Sequence, residues 1–342
     1  MDKIKTEDAV GMILCQDMTQ IIPGEYKGPR FRKGHRVTKE DIPVLLSMGK
    51  EYLYIWKNDP DLIHENDFAR AMYEGTAGPN MHATEVKEGK TEAVADCDGL
   101  FKIDSTRLDR INSLGDMMIA ARHGNFPVKK GDKLAGMRLI PLAAPVSKLG
   151  EFQDTVQGEP VFKILPFKPK KTAVFGTGNE VYKGLIEDRF TPVVEAKARE
   201  YGAVILSTEL LPDDPGLLAE KIQGAVENGA ELILCTGGMS VDPDDRTPAA
   251  IRDSGARIVT YGAPVLPGAM FLLGYLEGPK GTVPVCGLPG CVMYSKRTVF
   301  DLVLPRLMAD DPVTKEELDG LGEGGLCLNC DTCTYPNCGF GK

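Results

Sequence analysis

From residue 172 to about residue 312 the sequence alternates short apolar runs with amphipathic ones, and this constrains the fold more than any other feature. Thr172-Ala173-Val174-Phe175, Ala203-Val204-Ile205-Leu206, Leu232-Ile233-Leu234-Cys235 and Ile258-Val259-Thr260-Tyr261 read as strands, followed by two more at 270–276 and 282–286. Between them, Thr191-Pro192 and Thr247-Pro248 open helices with proline in the first turn. Asp214-Pro215 caps a helix whose Leu218, Ile222, Ala225 and Val226 share a face and which Gly229 stops. A long helix is expected from about 291 to 308, bent or restarted at Pro305. Strands alternating with helices predict an α/β fold, a three-layer α/β/α domain around a mostly parallel sheet.

Smaller mixed α+β and β-rich domains precede it. Residues 1–60 read as a small α/β region, with a helix that Thr38 caps and Gly49 stops, then the strand Glu51-Tyr52-Leu53-Tyr54-Ile55-Trp56. Its basic stretch (Lys27, Arg30, Arg32, Lys33, His35, Arg36, Lys39) reads first as a solvated face and second as a phosphate-contacting edge. Residues 61–166 read as a β-rich domain with a short helix near 68–73 and, at 128–136, the turn and strand of a small barrel or sandwich. Pro166-Phe167-Lys168-Pro169-Lys170-Lys171 is a stiff, charged linker and the expected boundary. The α/β domain spans 172–312, and a Cys-rich tail spans 313–342.

Lysine and arginine number 40 against 49 Asp and Glu, a net charge of −9. Such a field repels nucleic acid and anionic membrane surfaces, so neither is an expected partner. A bound anion must then be held locally, by main-chain N–H groups and a few placed cations. No apolar run reaches the roughly 18 residues that span a bilayer. The first residues also lack the apolar stretch of a secretion signal, so a cytoplasmic protein is expected.

In a sheet of this kind ligands bind beyond the C-terminal ends of the strands. Three expected strand ends carry glycine turns: Gly176-Thr177-Gly178-Asn179-Glu180, Thr236-Gly237-Gly238-Met239-Ser240 and Gly287-Leu288-Pro289-Gly290. Glycine lets backbone N–H groups approach an anion closely, and a following helix would add its positive end. Neither a nucleotide P-loop nor a dinucleotide Gly-x-Gly-x-x-Gly helix start is present. The same loops are acidic. Glu187-Asp188, Pro212-Asp213-Asp214 and Asp242-Pro243-Asp244-Asp245 supply hard carboxylates that suit Mg²⁺ shared with phosphate oxygens. Asp214 is also explained as a helix cap, and Asp245 as a partner of Arg246 or of backbone.

Thr177-Gly178-Asn179-Glu180-Val181, Leu211-Pro212-Asp213-Asp214, Thr236-Gly237-Gly238-Met239-Ser240-Val241 and Gly287-Leu288-Pro289-Gly290 occur in the order and spacing of the molybdopterin-binding domain. The chain resembles the molybdopterin molybdenumtransferase family, which includes the gephyrin E domain, in a divergent branch with a C-terminal Cys-rich tail. The resemblance implies molybdenum cofactor biosynthesis, namely Mg²⁺-dependent insertion of molybdate into adenylylated molybdopterin with release of AMP. It also implies a homodimer and places molybdopterin, or its adenylate, against Thr177, Gly178, Asn179, Glu180, Asp213, Thr236, Gly237, Gly238, Met239, Ser240, Pro267, Gly268, Gly287, Leu288, Pro289, Gly290 and Cys291. Asp188, Asp242, Asp244 and Asp245 take the catalytic positions, with Asp242 and Asp245 as Mg²⁺ ligands.

Departures from the family pattern are concentrated in the reactive positions. Asn179 replaces an aspartate, Arg189-Phe190 replaces Ser-Asn, and Leu266-Pro267-Gly268-Ala269 replaces Lys-Pro-Gly-Lys. Loss of the two lysines supports a rival expectation, a carrier that delivers the cofactor to an apo-molybdoenzyme. A pyrophosphatase-like enzyme is a third, because competence-damage-inducible proteins share the domain.

Cys291 falls at an expected helix start, where a thiol pKa is lowered, and is a candidate reactive thiol; Cys286 reads as a buried strand residue. In the tail, Cys327, Cys330, Cys333 and Cys338 follow the spacing C-x₂-C-x₂-C-x₄-C. Four soft ligands so close predict a metal site, either Zn²⁺ or a [4Fe–4S] cluster.

Overall fold

The computed structural model describes residues 2–55, 60–240, 242 and 245–342. Two compact units emerge: residues 1–95, 103–122 and 132–163 form one, and residues 96–102, 123–131 and 164–342 the other.

In the first unit, strands Asp2–Lys5 and Tyr52–Ile55 pair antiparallel, and Met18–Ile22 pairs with Tyr26–Phe31. They enclose a small core of Leu14, Met18, Phe31, Val37, Leu45 and Leu53. The helix here is Asp41–Ser47, starting three residues after the expected cap. Thr38 does not cap it; the Asp41 carboxylate instead accepts from the Thr38 N–H at 2.8 Å and from the His35 ring at 2.7 Å. Gly49, at φ +73°, does close the helix. Trp56, the expected end of the following strand, lies outside the described residues. The basic stretch is partly structural: Arg36 donates to the Gly11 carbonyl at 2.6 Å, and Lys33 Nζ stands 3.0 Å from His64 Nδ1. Farther along, the helix expected near 68–73 runs over Glu65–Thr76. The strand expected within 128–136 runs over Lys133–Leu139, inside an open four-stranded antiparallel sheet rather than a barrel.

The second unit carries a six-stranded sheet of β1 (Lys171–Thr177), β2 (Val204–Leu211), β3 (Leu232–Thr236), β4 (Arg257–Tyr261), β5 (Leu272–Gly278) and β6 (Gly281–Leu288). Their order is β2-β1-β3-β6-β5-β4. The first four are mutually parallel, and β5 runs antiparallel to both β6 and β4. The tight 278–281 connection explains the reversal, since a two-residue link permits only an antiparallel hairpin.

Alternation along the strands builds the three layers. Val174 joins a core with Val194 and Ala198, whereas its neighbours Ala173 and Phe175 join a second core with Leu218, Ile222 and Ile251. Those partners belong to helices α2 (Thr191–Glu200), α3 (Pro215–Glu227) and α4 (Thr247–Asp253), so helices cover both faces. This is the expected α/β/α domain. The stretch between Pro166 and β1 is tied down: the Lys168 N–H donates to the Met308 carbonyl, and the Lys168 and Lys170 ammoniums both pair with Asp310.

The expected long helix is two. After α1 (Asn179–Tyr182), α2, α3 and α4 come α5 (Cys291–Tyr294) and α6 (Val299–Met308). The break falls at Ser295–Thr298, not at Pro305, because Thr298 and Asp301 form a reciprocal capping box that starts a new helix. Every residue of α6 is buried. Asp301, 1% exposed, is held by Lys197 at 2.8 Å and Arg297 at 3.0 Å. Pro305 has no N–H to offer the Asp301 carbonyl one turn back. Tyr335 of the tail supplies that donor, its hydroxyl lying 2.8 Å from the Asp301 oxygen. Among the described residues no helix is long and apolar enough to cross a membrane.

Candidate functional site

Parallel pairing brings the ends of four strands into one row. Thr177 of β1 lies opposite Leu211 of β2, Gly176 opposite Thr236 of β3, and Thr236 opposite Leu288 of β6. The chain leaves β1 for β2 on one side and returns to β3 on the other, so the connections diverge between β1 and β3. A crevice at such a divergence is where open α/β sheets bind ligands.

The turns after β1 and β3 interlock there. Thr177 Oγ1 lies 3.3 Å from the Thr236 carbonyl and 3.2 Å from Thr247 Oγ1. Gly237 and Gly238 have φ of +86° and +56°. A Cβ on Gly237 would fall inside contact distance of the Thr177 carbonyl and 2.8 Å from its Oγ1; one on Gly238 would be 2.8 Å from Thr247 Oγ1. Only glycine permits both the left-handed backbone and this approach. The Thr247 N–H closes the loop on the Gly238 carbonyl at 3.1 Å.

On the β2 side, the Asn179 N–H donates to Asp213 at 2.9 Å and the Gly178 N–H to the Leu211 carbonyl at 3.2 Å. Thr177, Asp213, Asp214, Arg246 and Thr247 line a narrow cleft. Arg246 is exposed and lines this cleft together with the two aspartates. Arg246 and Thr247 are site residues that sequence reasoning missed. Thr247 was legible only as a helix start, and it reaches the site because the Gly237-Gly238 turn folds back on Thr177.

The other expected residues are distributed as follows. Met239 is buried, its carbonyl accepts from the Tyr261 hydroxyl at 3.0 Å, and its thioether occupies the space that a Cβ on Gly287 would need. Burial, with the Asp245 charge, pushes the Tyr261 phenol up. The Ser240 N–H donates to Asp245 at 2.9 Å, pinning the exposed loop that holds Asp242; Asp244 lies outside the described residues. Pro289 and Gly290 form a tight turn into α5. Glu180 is exposed in α1. Pro267 and Gly268 lie against the start of α6, where the Val299 N–H donates to the Pro267 carbonyl at 3.2 Å.

Three expectations change. The glycine turns do not lead into strong helix ends: α1 and α5 have four residues each, and α4 begins well beyond its turn. Within the turns, the N–H groups of Gly178, Asn179 and Ser240 are already donated to the Leu211 carbonyl, Asp213 and Asp245. Cys291 has no lowered pKa, because burial pushes its thiol up against the opposing backbone hydrogen bond and the charge of Lys197. Among the described residues, several of the expected carboxylates are engaged in holding the fold. Asp188 caps α2, accepting from the N–H groups of Phe190 and Thr191 and from the Thr191 hydroxyl. Asp214 caps α3 through the Leu217 N–H at 3.1 Å, and Asp213 and Asp245 brace loops. Among the described residues no three Cys, His, Asp or Glu side chains stand close enough to hold one metal ion, the tail cysteines included. Cys286 is fully buried, as expected of a strand residue.

Residues 173–309 match a family model described as a probable molybdopterin binding domain, and residues 3–57 match a domain of unknown function. A molybdopterin molybdenumtransferase of Synechococcus elongatus is 28% identical over 196 residues, covering 55% of this chain and 45% of that protein. A molybdenum cofactor biosynthesis bifunctional protein of the same organism is 41% identical over 70 residues, covering 20% and 22%. The chain thus spans less than half the length of these relatives. Among solved structures, the tungsten cofactor synthesizing protein MoaB of Pyrococcus furiosus aligns at 19% identity and a TM-score of 0.32, covering 42% of this chain and 89% of that one.

Proposed function

Taking residues 173–309 as a domain of the molybdopterin-binding family, we propose that this chain acts in molybdenum cofactor biosynthesis by binding molybdopterin, or its adenylate, at the β1/β3 crevice. The interlocked Thr177–Gly237–Gly238–Thr247 turn supports this most directly. It sets the left-handed Gly237-Gly238 backbone at a sheet's switch point, a recurring place for phosphate. Arg246 supplies the charge that an acidic protein must place locally. Asp213 orients the Asn179 amide, and Met239 packed on Gly287 stiffens the β3 and β6 turns.

The reaction proposed is molybdate insertion into the adenylate, with the chain contributing position and electrostatic stabilisation. Magnesium would arrive on the ligand's phosphates rather than be held beforehand. The carrier reading is the second one, supported by the capping and bracing roles of Asp188, Asp213 and Asp245. A homodimer belongs to both readings, and hand-over to an apo-molybdoenzyme to the carrier.

The test is equilibrium binding of molybdopterin and its adenylate, followed by addition of molybdate and Mg²⁺. Release of AMP supports the enzyme; tight binding without AMP supports the carrier. Binding should weaken roughly 10- to 100-fold in Arg246→Ala, the equivalent of one hydrogen bond to a charged group. Absence of pterin binding by the native chain overturns both readings.

A further inference from the structure

The tail is a built part of the second unit. The Leu266 N–H donates to the Gly325 carbonyl and the Cys327 N–H to the Leu266 carbonyl, both at 2.8 Å. The Gly341 N–H returns to the Gly324 carbonyl at 2.9 Å, closing the segment into a ring. Phe340 is 4% exposed, and Tyr335 anchors the ring by satisfying the carbonyl that Pro305 leaves open in α6.

Within this ring Cys327, Cys330, Cys333 and Cys338 line one cavity of about 220 Å³. All four are free thiols. A zinc site would draw its sulfurs to about 3.8 Å from one another, the edge of a tetrahedron with bonds near 2.3 Å. All four line the same cavity. A cavity of this size has room for a guest larger than one ion. The first three follow the bacterial ferredoxin spacing, and the fourth comes one residue later. Lys296 and Arg297 also line the cavity. The Lys296 ammonium donates to the carbonyls of Cys330 at 3.2 Å and Asp331 at 2.6 Å, and the Arg297 guanidinium lies 4.8 Å over the Tyr335 ring. Arg297 is already paired with Glu200 and Asp301, so Lys296 is the cation that would offset part of the negative charge a thiolate-bound cluster carries.

We propose that the tail binds a [4Fe–4S] cluster through Cys327, Cys330, Cys333 and Cys338, in preference to a single zinc ion. The proposal does not depend on pterin binding. The two sites are nevertheless linked: Lys197 donates to the Lys296 carbonyl at 2.9 Å, and Lys296 follows the Gly287–Gly290 turn and α5.

The test is anaerobic purification of the full chain from iron-replete cells, with iron, zinc and acid-labile sulfide measured and Mössbauer spectra taken on the native protein. The proposal expects about four irons and four sulfides per chain. Cys330→Ser and Cys333→Ser, at exposed positions, should lose most of the iron while keeping the native circular dichroism; Cys97→Ser should retain it. One zinc per chain without iron, a two-iron cluster, or metal-free thiols after reconstitution with iron and sulfide would each overturn the proposal. The native spectra decide the matter even if the serine variants misfold.

Discussion

Gly237→Ala is the sharpest test of the site's architecture. The residue has φ +86°, and a left-handed alanine costs about 1–2 kcal/mol. Its Cβ would collide with the Thr177 carbonyl, a backbone atom at the end of β1, so the strand end or the turn must move. Overpacking of this kind costs about 1–3 kcal/mol. The reduced entropy of the unfolded alanine chain returns about 0.4–1 kcal/mol. The net loss is roughly 1–5 kcal/mol, or a Tm drop of roughly 2–20 °C for a unit of this size. Gly216→Ala is the control: it lies in the first turn of α3, and its Cβ would meet only Asp214 at an ordinary 3.4 Å. That variant should melt at or above the native temperature. Thermal melts followed by circular dichroism, with pterin binding measured on the folded protein, read both outcomes. If Gly237→Ala melts with the native protein and binds normally, the close approach of the β1 and β3 turns is not what builds the site.

Two further outcomes are expected. Asp301→Ala leaves Lys197 and Arg297 without their buried partner and deletes the start of α6, so urea unfolding should show a loss of about 3–5 kcal/mol; Asp301→Asn, which can still cap, should lose less. His64 in the first unit has its pKa lowered by burial, against the hydrogen bond to the Cys15 carbonyl and with the help of the Lys33 charge. The unfolded chain therefore binds a proton, near pH 6.5, before the folded one does, and stability must fall as pH drops through that value. Comparing the pH dependence of unfolding in the native protein and His64→Gln isolates this effect from that of Glu65, whose pKa is raised by burial; identical slopes would refute it.

The α/β domain was legible because its signals are local. Strand runs such as Leu232-Ile233-Leu234-Cys235, the Asp214 cap and the glycine turns each report on a few neighbouring residues, and all appear where expected. Of the features that differ, the Pro305 repair depends on a partner distant in sequence, whereas the Thr298–Asp301 box and the Asp188 cap act across three residues. Pro305 looked like a helix break, but Tyr335 repairs its missing bond, while the actual restart lies in Thr298-Val299-Phe300-Asp301, a capping box that follows the polar Ser295-Lys296-Arg297. Asp188 looked like a metal ligand, and the helix beginning at Thr191 consumed its oxygens.

By itself, then, the sequence determined the order of strands and helices, the acidic field and the location of the glycine turns, because period, charge and backbone permissiveness are properties of short segments. Tertiary structure alone decided that the turns after β1 and β3 interlock through Thr177 and Thr247, that the Cys291 thiol is raised rather than lowered, and that four tail cysteines share one space. Those outcomes arise from burial and from proximity such as that of Thr177 and Thr247 across 70 residues, quantities that exist only once the chain has closed on itself.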